Sequence, residues 1–458
     1  MGSTSFQAPT GTRDFYPIEL ARRRFIERAW RTVSVRHGFE EIDGPTFESI
    51  DLYKAKSGDA IVSEIFHVHS GKDERSRAGP ETGAAREAPF ALRPEFTPTL
   101  ARMYAARAAQ LPRPCKWFWQ QTCFRAERPQ RGRLREFMQW NCDIIGEGSA
   151  AADAEAVGVC VGLLEELGLT PEHVKIRIGS RPVVSNILAY LGVSRDRMHD
   201  ALDLIDRRAK ASPEEIQAGE VDLGFSLKRL DLEANAIQKD FEIGVSAGGF
   251  QEGGVPLRYD LASLHSLQQQ LTAAGLSSWC TLDLGIARGL AYYTGMVFEV
   301  HETSGAMRAV AGGGRYDNLI ETFGGPPTPA VGFGMGDVVL SLVLQDKGLM
   351  PGDREIARAL GLRPDVQVIS NGSPESDALV PAVVGELRRA GMHARRSYKA
   401  TKNIGKLLKE AADADARYAV IIESPTEVTV KNLDDGSQVK APRADLRAHL
   451  PPARQSER

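Results

Sequence analysis

The sequence is poor in the features that mark a secreted, membrane or metal-binding protein. Its 458 residues include only five cysteines, which form no CxxC pair and no tight cluster with histidine, so neither a zinc site nor a disulfide framework is predicted. No stretch approaches the ~20 apolar residues of a membrane-spanning helix, and the N-terminus lacks the apolar segment of a signal peptide. We therefore expect a cytoplasmic chain with reduced thiols, no zinc and no membrane partner.

The sequence also lacks an excess of charge of one sign. The net charge is −3, with 26 % charged and 42 % hydrophobic residues. An overall basic field is absent, so any nucleic-acid surface has to be a local basic patch. The apolar content is sufficient for more than one core. At about 150 residues per domain, the length predicts three domains, or two with a large insertion.

Hydrophobic periodicity predicts helices and strands in an order that suits a mixed α and β protein. A basic connector joins two strands into a long antiparallel hairpin, and Asp153 is the predicted N-cap of the helix that follows. Ser70–Pro89 has almost no apolar residues and is predicted to be a loop. The main predicted elements are the helix 18–37, the strands 116–125 and 135–145, the helix 153–167, a helical insertion over about 195–263, a glycine-rich turn at Ala311–Tyr316 and a strand–turn–helix unit at Gly332–Lys347.

The pattern changes after a linker predicted at 349–363. Beyond Pro364, strands and helices alternate over about 90 residues, which indicates a separate small α/β domain. The predicted organisation is thus a first domain over 1–348, which contains the insertion, and a second domain over 364–458.

One face of the second hairpin strand is polar. Because side chains alternate along a strand, the even-numbered positions 138–144 form an apolar face typical of a core. The opposite face carries Phe137, Gln139, Asn141 and Asp143. An aromatic ring, two amides and a carboxylate in register predict the wall of a polar cavity, and the alternative is a solvent-exposed sheet face.

The connector between the two hairpin strands is basic. Arginine forks suit phosphate oxygens, so the tip is a candidate site for phosphate or nucleic acid. A solvated charged loop is the alternative. The arginines are Arg125, Arg128, Arg131, Arg133 and Arg135.

Two shorter segments carry further polar groups. In LRPEFTP, Glu95 and Thr97 lie two residues apart and share one face if the segment is extended, and a carboxylate there can hold a substrate ammonium group. In GIARGLAYYTGMVFE, Arg288 and the pair Tyr292 and Tyr293 precede a strand. That segment suits either a binding pocket or a structural arginine among core aromatic residues.

Taken together and in this order, the segments resemble the histidyl-tRNA synthetase family of class II aminoacyl-tRNA synthetases. The match spans nearly the whole chain, and the hairpin block and the RGLxYY block are the most specific to the family. The segments are GTRDFYP (11–17), GFEEIDGPTFESIDLY (38–53), LRPEFT (92–97), FRAERPQRGRLREFMQWNCDIIGE (124–147), RGLAYYTGMVFE (288–299), AGGGRYDNLI (311–320) and AVGFGMGD (330–337).

The resemblance implies an α+β fold. Its class II catalytic core is a six-stranded antiparallel sheet flanked by helices and interrupted by a helical insertion, and a C-terminal α/β anticodon-binding domain follows. The implied activity is the ATP-dependent ligation of L-histidine to tRNA(His) through a histidyl-adenylate, with Mg²⁺ accompanying ATP and no tightly bound cofactor. The resemblance also implies an obligate homodimer with the segment around Pro45 at its interface.

The resemblance further implies roles for individual residues. Arg125 and Arg288 are the implied catalytic arginines, with Arg125 at the α-phosphate of ATP. The ATP site is implied at Arg125, Glu127, Phe137 and Arg288; the histidine pocket at Glu95, Thr97, Gln139, Asp143, Arg288, Tyr292, Tyr293 and Tyr316; and the tRNA acceptor site at Arg128, Gln130, Arg131 and Arg133.

The sequence departs from the family pattern in the third class-defining motif. That motif usually ends in Gly-Leu-Glu-Arg, and its arginine touches the γ-phosphate side of ATP. Here the stretch reads Gly-Asp-Val-Val at 336–339. The missing arginine suits the alternative function, a non-catalytic paralogue similar to the regulatory subunit of ATP phosphoribosyltransferase. The retained Arg125 and Arg288 and the full C-terminal domain favour the enzyme.

Overall fold

The computed structural model describes residues 6–69, 89–208, 211–247, 261–286, 293–399 and 401–452. The chain divides into two compact units. The first comprises the residues up to Phe15 and Ile26–Met350, and the second comprises Tyr16–Phe25 and the chain from Pro351 onward. The loop predicted at Ser70–Pro89 lies outside the described residues, except for its last residue.

The first unit is built on a large sheet. In chain order its strands are β1 (Glu40–Glu41), β2 (Phe47–Ser49), β3 (His67–Val68), β4 (Phe90–Leu92), β5 (Cys115–Phe124), β6 (Glu136–Ile145), β7 (Val174–Ser180), β8 (Cys280–Leu282), β9 (Met296–Glu302), β10 (Ala311–Arg315) and β11 (Ala330–Gly336). Within the described residues, eight strands pair in the order β1-β5-β6-β11-β10-β9-β7-β8, and β2, β4 and β3 form a small second sheet.

The six central strands of the large sheet are all antiparallel. The implied six-stranded antiparallel sheet is therefore present. One short strand pairs in parallel at each edge, β1 with β5 and β8 with β7. The predicted fold class is confirmed in this unit.

Helices connect and cover these strands. They are α1 (Pro17–Arg36), α2 (Ile50–Ser57), α3 (Thr97–Arg107), α4 (Ala150–Glu166), α5 (Arg181–Tyr190), α6 (Met198–Arg207), α7 (Pro213–Leu223), α8 (Leu227–Ala247), α9 (Ala262–Ala273), α10 (Leu319–Thr322) and α11 (Asp337–Asp346). Trp30 of α1 stacks on Trp140 of β6 with 6.1 Å between the ring centroids, and both rings are fully buried. The even-numbered face of β6 is thus core, as its alternation predicts.

The predicted insertion, 195–263, is helical where it is described. Helices α6, α7 and α8 lie inside it, and α5 and α9 extend the helical region on either side. One apolar cluster packs the insertion against its flanking elements: Leu202 and Leu230 of the insertion are buried together with Ile187 of α5, Leu264 of α9 and Val297 of β9. Helices α5, α6 and α8 each contribute one buried stripe to this cluster, which is how charge-rich helices remain packed.

The glycine-rich segment at 311–316 is a strand, not the predicted turn. It forms β10, in the middle of the sheet between β9 and β11. A Cβ on Gly314 would lie 2.5 Å from the carbonyl oxygen of Met296, and one on Gly313 would lie 2.7 Å from Cα of Phe333. The glycines are needed for the close approach of neighbouring strands, which a single sequence does not distinguish from a turn.

Asp153 is not the N-cap of α4, in contrast to the prediction. The helix begins at Ala150 with Ser149 at the cap position, and Asp153 is buried in its first turn. There it accepts a hydrogen bond from Nε of Arg315 at 2.9 Å, and Arg315 also donates to the carbonyl oxygen of Glu147. A buried guanidinium requires such a carboxylate, and helical periodicity alone does not reveal that requirement.

The second unit contains a five-stranded sheet in the order β13-β12-β14-β15-β16 among the described residues. Its elements are α12 (Asp353–Ala359), β12 (Val366–Ser370), α13 (Pro374–Arg389), β13 (Ala394–Arg396), α14 (Ile404–Asp413), β14 (Tyr418–Ile422), β15 (Glu427–Asn432) and β16 (Gln438–Pro442). The predicted linker 349–363 contains α12, whose Ile356 is fully buried, so this stretch is structured. None of the described helices is long and apolar enough to cross a membrane.

Candidate active site

A cavity of about 530 Å³ opens on the sheet of the first unit. Strands β6, β9, β10 and β11, which are neighbours in the sheet, supply much of its lining. Phe137, Gln139, Asn141 and Asp143 all face it. The strand face that was predicted to line a polar cavity therefore does so.

Asp143 is the buried carboxylate of this cavity, with 2 % of the residue exposed. The Tyr316 hydroxyl donates a hydrogen bond to its Oδ1, and its Oδ2 has no hydrogen-bond partner among the described residues. Burial raises the pKa of Asp143 to about 7, although the Tyr316 hydroxyl and the Lys56 ammonium act in the opposite direction. Because an unsatisfied buried acceptor is costly, this oxygen is suited to receive an N–H from a ligand.

A glycine on the neighbouring strand makes room for this carboxylate. Gly332 of β11 pairs with Asp143 across the antiparallel ladder. A Cβ on Gly332 would lie 2.6 Å from Cγ of Asp143, well inside the ~3.5–4.0 Å at which nonbonded carbons are in favourable contact. The position of Asp143 thus depends on the absence of a side chain at 332.

Glu95 and Lys56 form an ion pair at the side of the cavity. The Lys56 ammonium, on α2, donates to Oε2 of Glu95, and the two side chains are 11 % and 22 % exposed. Thr97 does not share an extended strand with Glu95 as predicted. It is the first residue of α3, where Pro98 is tolerated in the first turn. Both Glu95 and Thr97 nevertheless line the cavity.

Neutral hydrogen-bonding groups lie beside the two carboxylates. The Gln139 amide donates to Oδ1 of Asn141 at 2.8 Å. Tyr293 also lines the cavity, and burial raises the pKa of its hydroxyl, so this group stays protonated. Its backbone carbonyl accepts a hydrogen bond from Arg181 at 2.8 Å, which fixes the chain entering β9.

Arg125 and Phe137 stand together at the end of the hairpin strands. The Arg125 guanidinium lies 5.0 Å from the centroid of the Phe137 ring, and its Nε donates to the carbonyl oxygen of Pro94 at 3.2 Å. Both residues line the cavity. A cation beside a half-buried aromatic ring on the cavity wall provides one group for a phosphate and one for a planar base.

The hairpin tip extends from this end of the cavity. Arg128, Gln130 and Arg131 are exposed and do not line the cavity. Arg133 does line it and pairs with Glu127 at 2.8 Å. The tip is thus a basic surface with one arginine turned toward the cavity and held by a carboxylate.

The remaining side of the cavity contains Val338 and Val339, where the third motif usually has an arginine. Arg308 and Glu299 line the cavity as well. Residue 308 precedes β10 and residue 338 follows β11, and these strands pair with Ala311 opposite Met335. The segment before β10 and the segment after β11 therefore lie at the same end of this antiparallel pair. Arg308 places a positive charge in the region where the side chain of Val339 is uncharged.

Two of the implied site residues, Arg288 and Tyr292, lie outside the described residues. Lys56, Glu299 and Arg308 were not predicted as site residues, although Glu299 ends the segment RGLAYYTGMVFE, and LYKAKSGD and GAMRAVAGG adjoin two other quoted segments. Their only sequence signal is that proximity. Within the described ranges, no group of three or more His, Cys, Asp or Glu side chains is arranged to hold a metal ion.

This arrangement can bind a molecule with a cationic or N–H-bearing end and hold a phosphorylated one beside it. The buried end presents the carboxylates of Glu95 and Asp143, and the open end presents an aromatic ring and guanidinium groups. Together with the antiparallel sheet and its long hairpin, these features define a class II aminoacyl-tRNA synthetase core.

Comparisons with known proteins agree with that class. Residues 11–336 match the family model of histidyl-tRNA synthetase. The histidine--tRNA ligase of Opitutus terrae is 37 % identical over 454 residues, which are 97 % of this chain and 98 % of that protein. That of Haloarcula marismortui is 36 % identical and covers 95 % and 96 %. The crystal structure of histidyl-tRNA synthetase from Nostoc sp. PCC 7120 has the same fold, with a TM-score of 0.70 at 22 % identity over 98 % of this chain and 99 % of that one. The chain therefore belongs to the histidyl-tRNA synthetase family.

Proposed function

We propose that this protein ligates L-histidine to tRNA(His) in two steps, through a histidyl-adenylate. The observation that carries the proposal is the buried carboxylate of Asp143, whose Oδ2 has no hydrogen-bond partner among the described residues, in a cavity that Glu95 and Arg125 also line. Imidazole is an N–H donor, so an unsatisfied carboxylate oxygen suits it. A pocket built on such a pairing discriminates strongly against analogues that lack the donor.

The histidine pocket is the buried part of the cavity. Asp143, held by the Tyr316 hydroxyl, accepts the imidazole N–H, and Glu95 binds the α-ammonium. Gln139, Thr97 and the tyrosines Tyr292 and Tyr293 complete the walls. The support for Glu95 in this role is that it already binds an ammonium group, that of Lys56.

The first step joins histidine to the nucleotide. A carboxylate oxygen of histidine attacks the α-phosphorus of ATP in line, the bond to the β-phosphate bridging oxygen breaks, and pyrophosphate leaves. Negative charge increases on the α-phosphoryl oxygens, and fixed guanidinium groups stabilise it. Arg125 and Arg288 supply these groups, and Phe137 stacks on adenine, beside Glu127.

Mg²⁺ accompanies ATP in this proposal and neutralises part of the triphosphate charge. Glu299 is a carboxylate on the cavity wall, but the described residues do not bring three such ligands together. One carboxylate on the cavity wall fits a cation whose other ligands are phosphate oxygens and water. The protein groups at that end, Arg133 and Arg308, neutralise the remaining charge.

The second step transfers histidine to tRNA. The terminal ribose hydroxyl attacks the adenylate carbonyl carbon, and AMP leaves. The exposed tip of the hairpin, with Arg128, Gln130, Arg131 and the half-buried Arg133, binds the acceptor end through its phosphates. The tip adjoins the cavity through Arg133, which supports this placement.

The second unit reads the anticodon in this proposal, as the resemblance implies for 364–458. An unpaired loop is recognised by stacking and by base-edge contacts. Tyr398 is 84 % exposed, and the Arg396 guanidinium lies 4.5 Å from its ring centroid. This pair is suited to stack on a base, so Tyr398→Ala should raise the KM for tRNA several-fold and leave histidine-dependent ATP–pyrophosphate exchange unchanged.

The active form is a cytoplasmic homodimer in this proposal. Phe47 and Phe90, on the small sheet next to Pro45, are 49 % and 39 % exposed, and their rings pack edge to face at 5.6 Å. An exposed aromatic pair of this kind is typical of an interface. Light scattering of the purified protein should give twice the chain mass.

Histidine-dependent ATP–pyrophosphate exchange tests the proposed function. The regulatory-paralogue alternative predicts no exchange, and Val339 is the feature that favours it. Arg288→Ala should abolish exchange while the protein stays folded. Ligase relatives that match 95 % or more of this chain support the enzyme over that alternative.

A further inference from the structure

A lysine outside the predicted site residues occupies the cavity. Lys56 lies on α2, and its side chain is 11 % exposed. Its ammonium group donates to Oε2 of Glu95 and lies near enough to Asp143 to favour the ionised form of that carboxyl. A flexible cation is therefore held between the two acidic groups of the proposed histidine pocket.

The charge of the empty pocket explains this placement. Glu95 and Asp143 are largely removed from water, and unpaired carboxylates in such surroundings are costly. The Lys56 ammonium offsets this cost. It carries one positive charge and three N–H donors, which are also the properties of the α-ammonium group of an amino acid.

We infer that Lys56 is an internal competitor for the ammonium subsite: it occupies Oε2 of Glu95 in the empty protein and is displaced when the α-ammonium of histidine binds. The inference rests on the proposed function, because it takes histidine as the ligand. Two ammonium groups at the same carboxylate oxygen repel each other, so binding of the α-ammonium favours release of Lys56. Lys56 thus preserves the geometry of Glu95 without ligand and lowers the affinity for every ligand that brings an ammonium.

A different role for Lys56 would be to bind the carboxylate of histidine. Three ligands separate the two roles. L-histidine has the ammonium, the carboxylate and the imidazole, L-histidinol lacks the carboxylate, and imidazolepropionate lacks the ammonium. Binding of each is measured by calorimetry to the full-length protein at pH 8, where free carboxyl and imidazole groups have lost their protons.

The test variant is Lys56→Met, which keeps the aliphatic stem and removes the charge. We expect it to bind L-histidine and L-histidinol about tenfold more tightly, a change of ~1.4 kcal/mol, and to bind imidazolepropionate within about threefold of the wild type. Lys56→Arg keeps the charge and should show no tightening. Lys54→Met is the matched control, because Lys54 is on the same helix but pairs with the exposed Asp59 at 3.7 Å and does not line the cavity.

Unchanged or weakened binding of L-histidinol by Lys56→Met would overturn the inference. Weaker binding of L-histidine and imidazolepropionate with unchanged L-histidinol would assign Lys56 to the carboxylate instead. A wild type that binds none of the three would overturn the proposed function as well. Thermal melting checks that each variant folds, and if Lys56→Met does not, Lys56→Gln replaces it with the same expected order of affinities.

Discussion

The two ends of the cavity are built in opposite ways. The buried end is acidic, and its carboxylate Asp143 comes from the middle of the sheet with 2 % of the residue exposed. The open end is basic, and its arginines come from the hairpin ends and from the segment before β10. The sheet fixes the first group rigidly, whereas the second group stands at strand ends and loops.

This difference corresponds to what each end has to bind. A small amino acid is selected by a few desolvated polar contacts, which need fixed partners. A triphosphate carries several charges, and its pyrophosphate has to leave in each cycle. It is therefore bound by cations that remain partly exposed to solvent. Phe137 and Arg125 belong to the open end, and the proposed contact of Arg125 with the α-phosphate puts this arginine where the two substrates would react.

Removal of Arg125 should have the largest effect, because it tests the region where the two ends meet. We expect Arg125→Ala to lower histidine-dependent pyrophosphate exchange by ~100–1000-fold, the loss that follows removal of one group that stabilises transition-state charge. Arg131→Ala, at the exposed tip, is the control and should leave exchange within a factor of about three. Near-normal exchange in a folded Arg125→Ala would remove this arginine from the reaction.

Addition of one methyl group at Gly332 should impair the binding of histidine at the buried end and leave the binding of ATP at the open end unchanged. Gly332→Ala forces the Asp143 carboxylate aside, so the KM for histidine should rise ~10–100-fold, because a hydrogen bond to a charged group contributes ~1.5–3 kcal/mol. The KM for ATP should change little. Gly336→Ala on the same strand is the control, since a Cβ there meets nothing within 4 Å. Equal effects of the two variants would contradict the account of Asp143.

The stability of the ligand-free protein should depend on Asp143 in a defined pH range. Burial raises its folded pKa to about 7 from an ordinary value of 3.8, so the folded protein binds the additional proton between these values. The contribution of the Asp143 carboxyl to the free energy of unfolding is fully present below pH ~4 and is lost as the pH rises to ~7. Asp143→Asn removes this ionisation. The free energy of unfolding of the variant minus that of the wild type, measured by urea denaturation, should therefore be larger at pH 8 than at pH 5. If the free energies of unfolding of the two proteins changed with pH in parallel, the prediction that burial raises the pKa of Asp143 would be wrong.

The smallest expected effect concerns the missing arginine of the third motif. If Arg308 contributes the cation at this end, Arg308→Ala should raise the KM for ATP several-fold and leave the KM for histidine unchanged. Solvent weakens the contribution of a half-exposed charge, which is why only a modest effect is expected. An unchanged KM for ATP would show that Arg308 does not supply the positive charge near Val339.

The sequence predicted the buried end better than the open end. Strand alternation placed Gln139 and Asp143 on one face, because the side-chain period of a strand is fixed. The contribution of Gly332 was not predictable, since its purpose is visible only when β11 is paired with β6. The segment at 311–316 was misinterpreted for the same reason, as glycines that admit a neighbouring strand look like a turn.

The cavity residues that were not predicted are far apart in sequence. Lys56, Glu299 and Arg308 reach the cavity from separate elements, and no periodicity connects them. Asp153 shows the same limit in the core, because its partner Arg315 lies 162 residues away. The fold class could be predicted, since it depends on patterns repeated along the chain, whereas these long-range pairs could not.

The most direct test of the central claim is ATP–pyrophosphate exchange by the wild-type protein with each amino acid supplied in turn. We expect exchange with L-histidine and none above background with the other amino acids. We also expect Asp143→Asn to raise the KM for histidine more than the KM for ATP. The absence of exchange with histidine, from a folded protein that still binds it, would contradict the account and favour the regulatory paralogue.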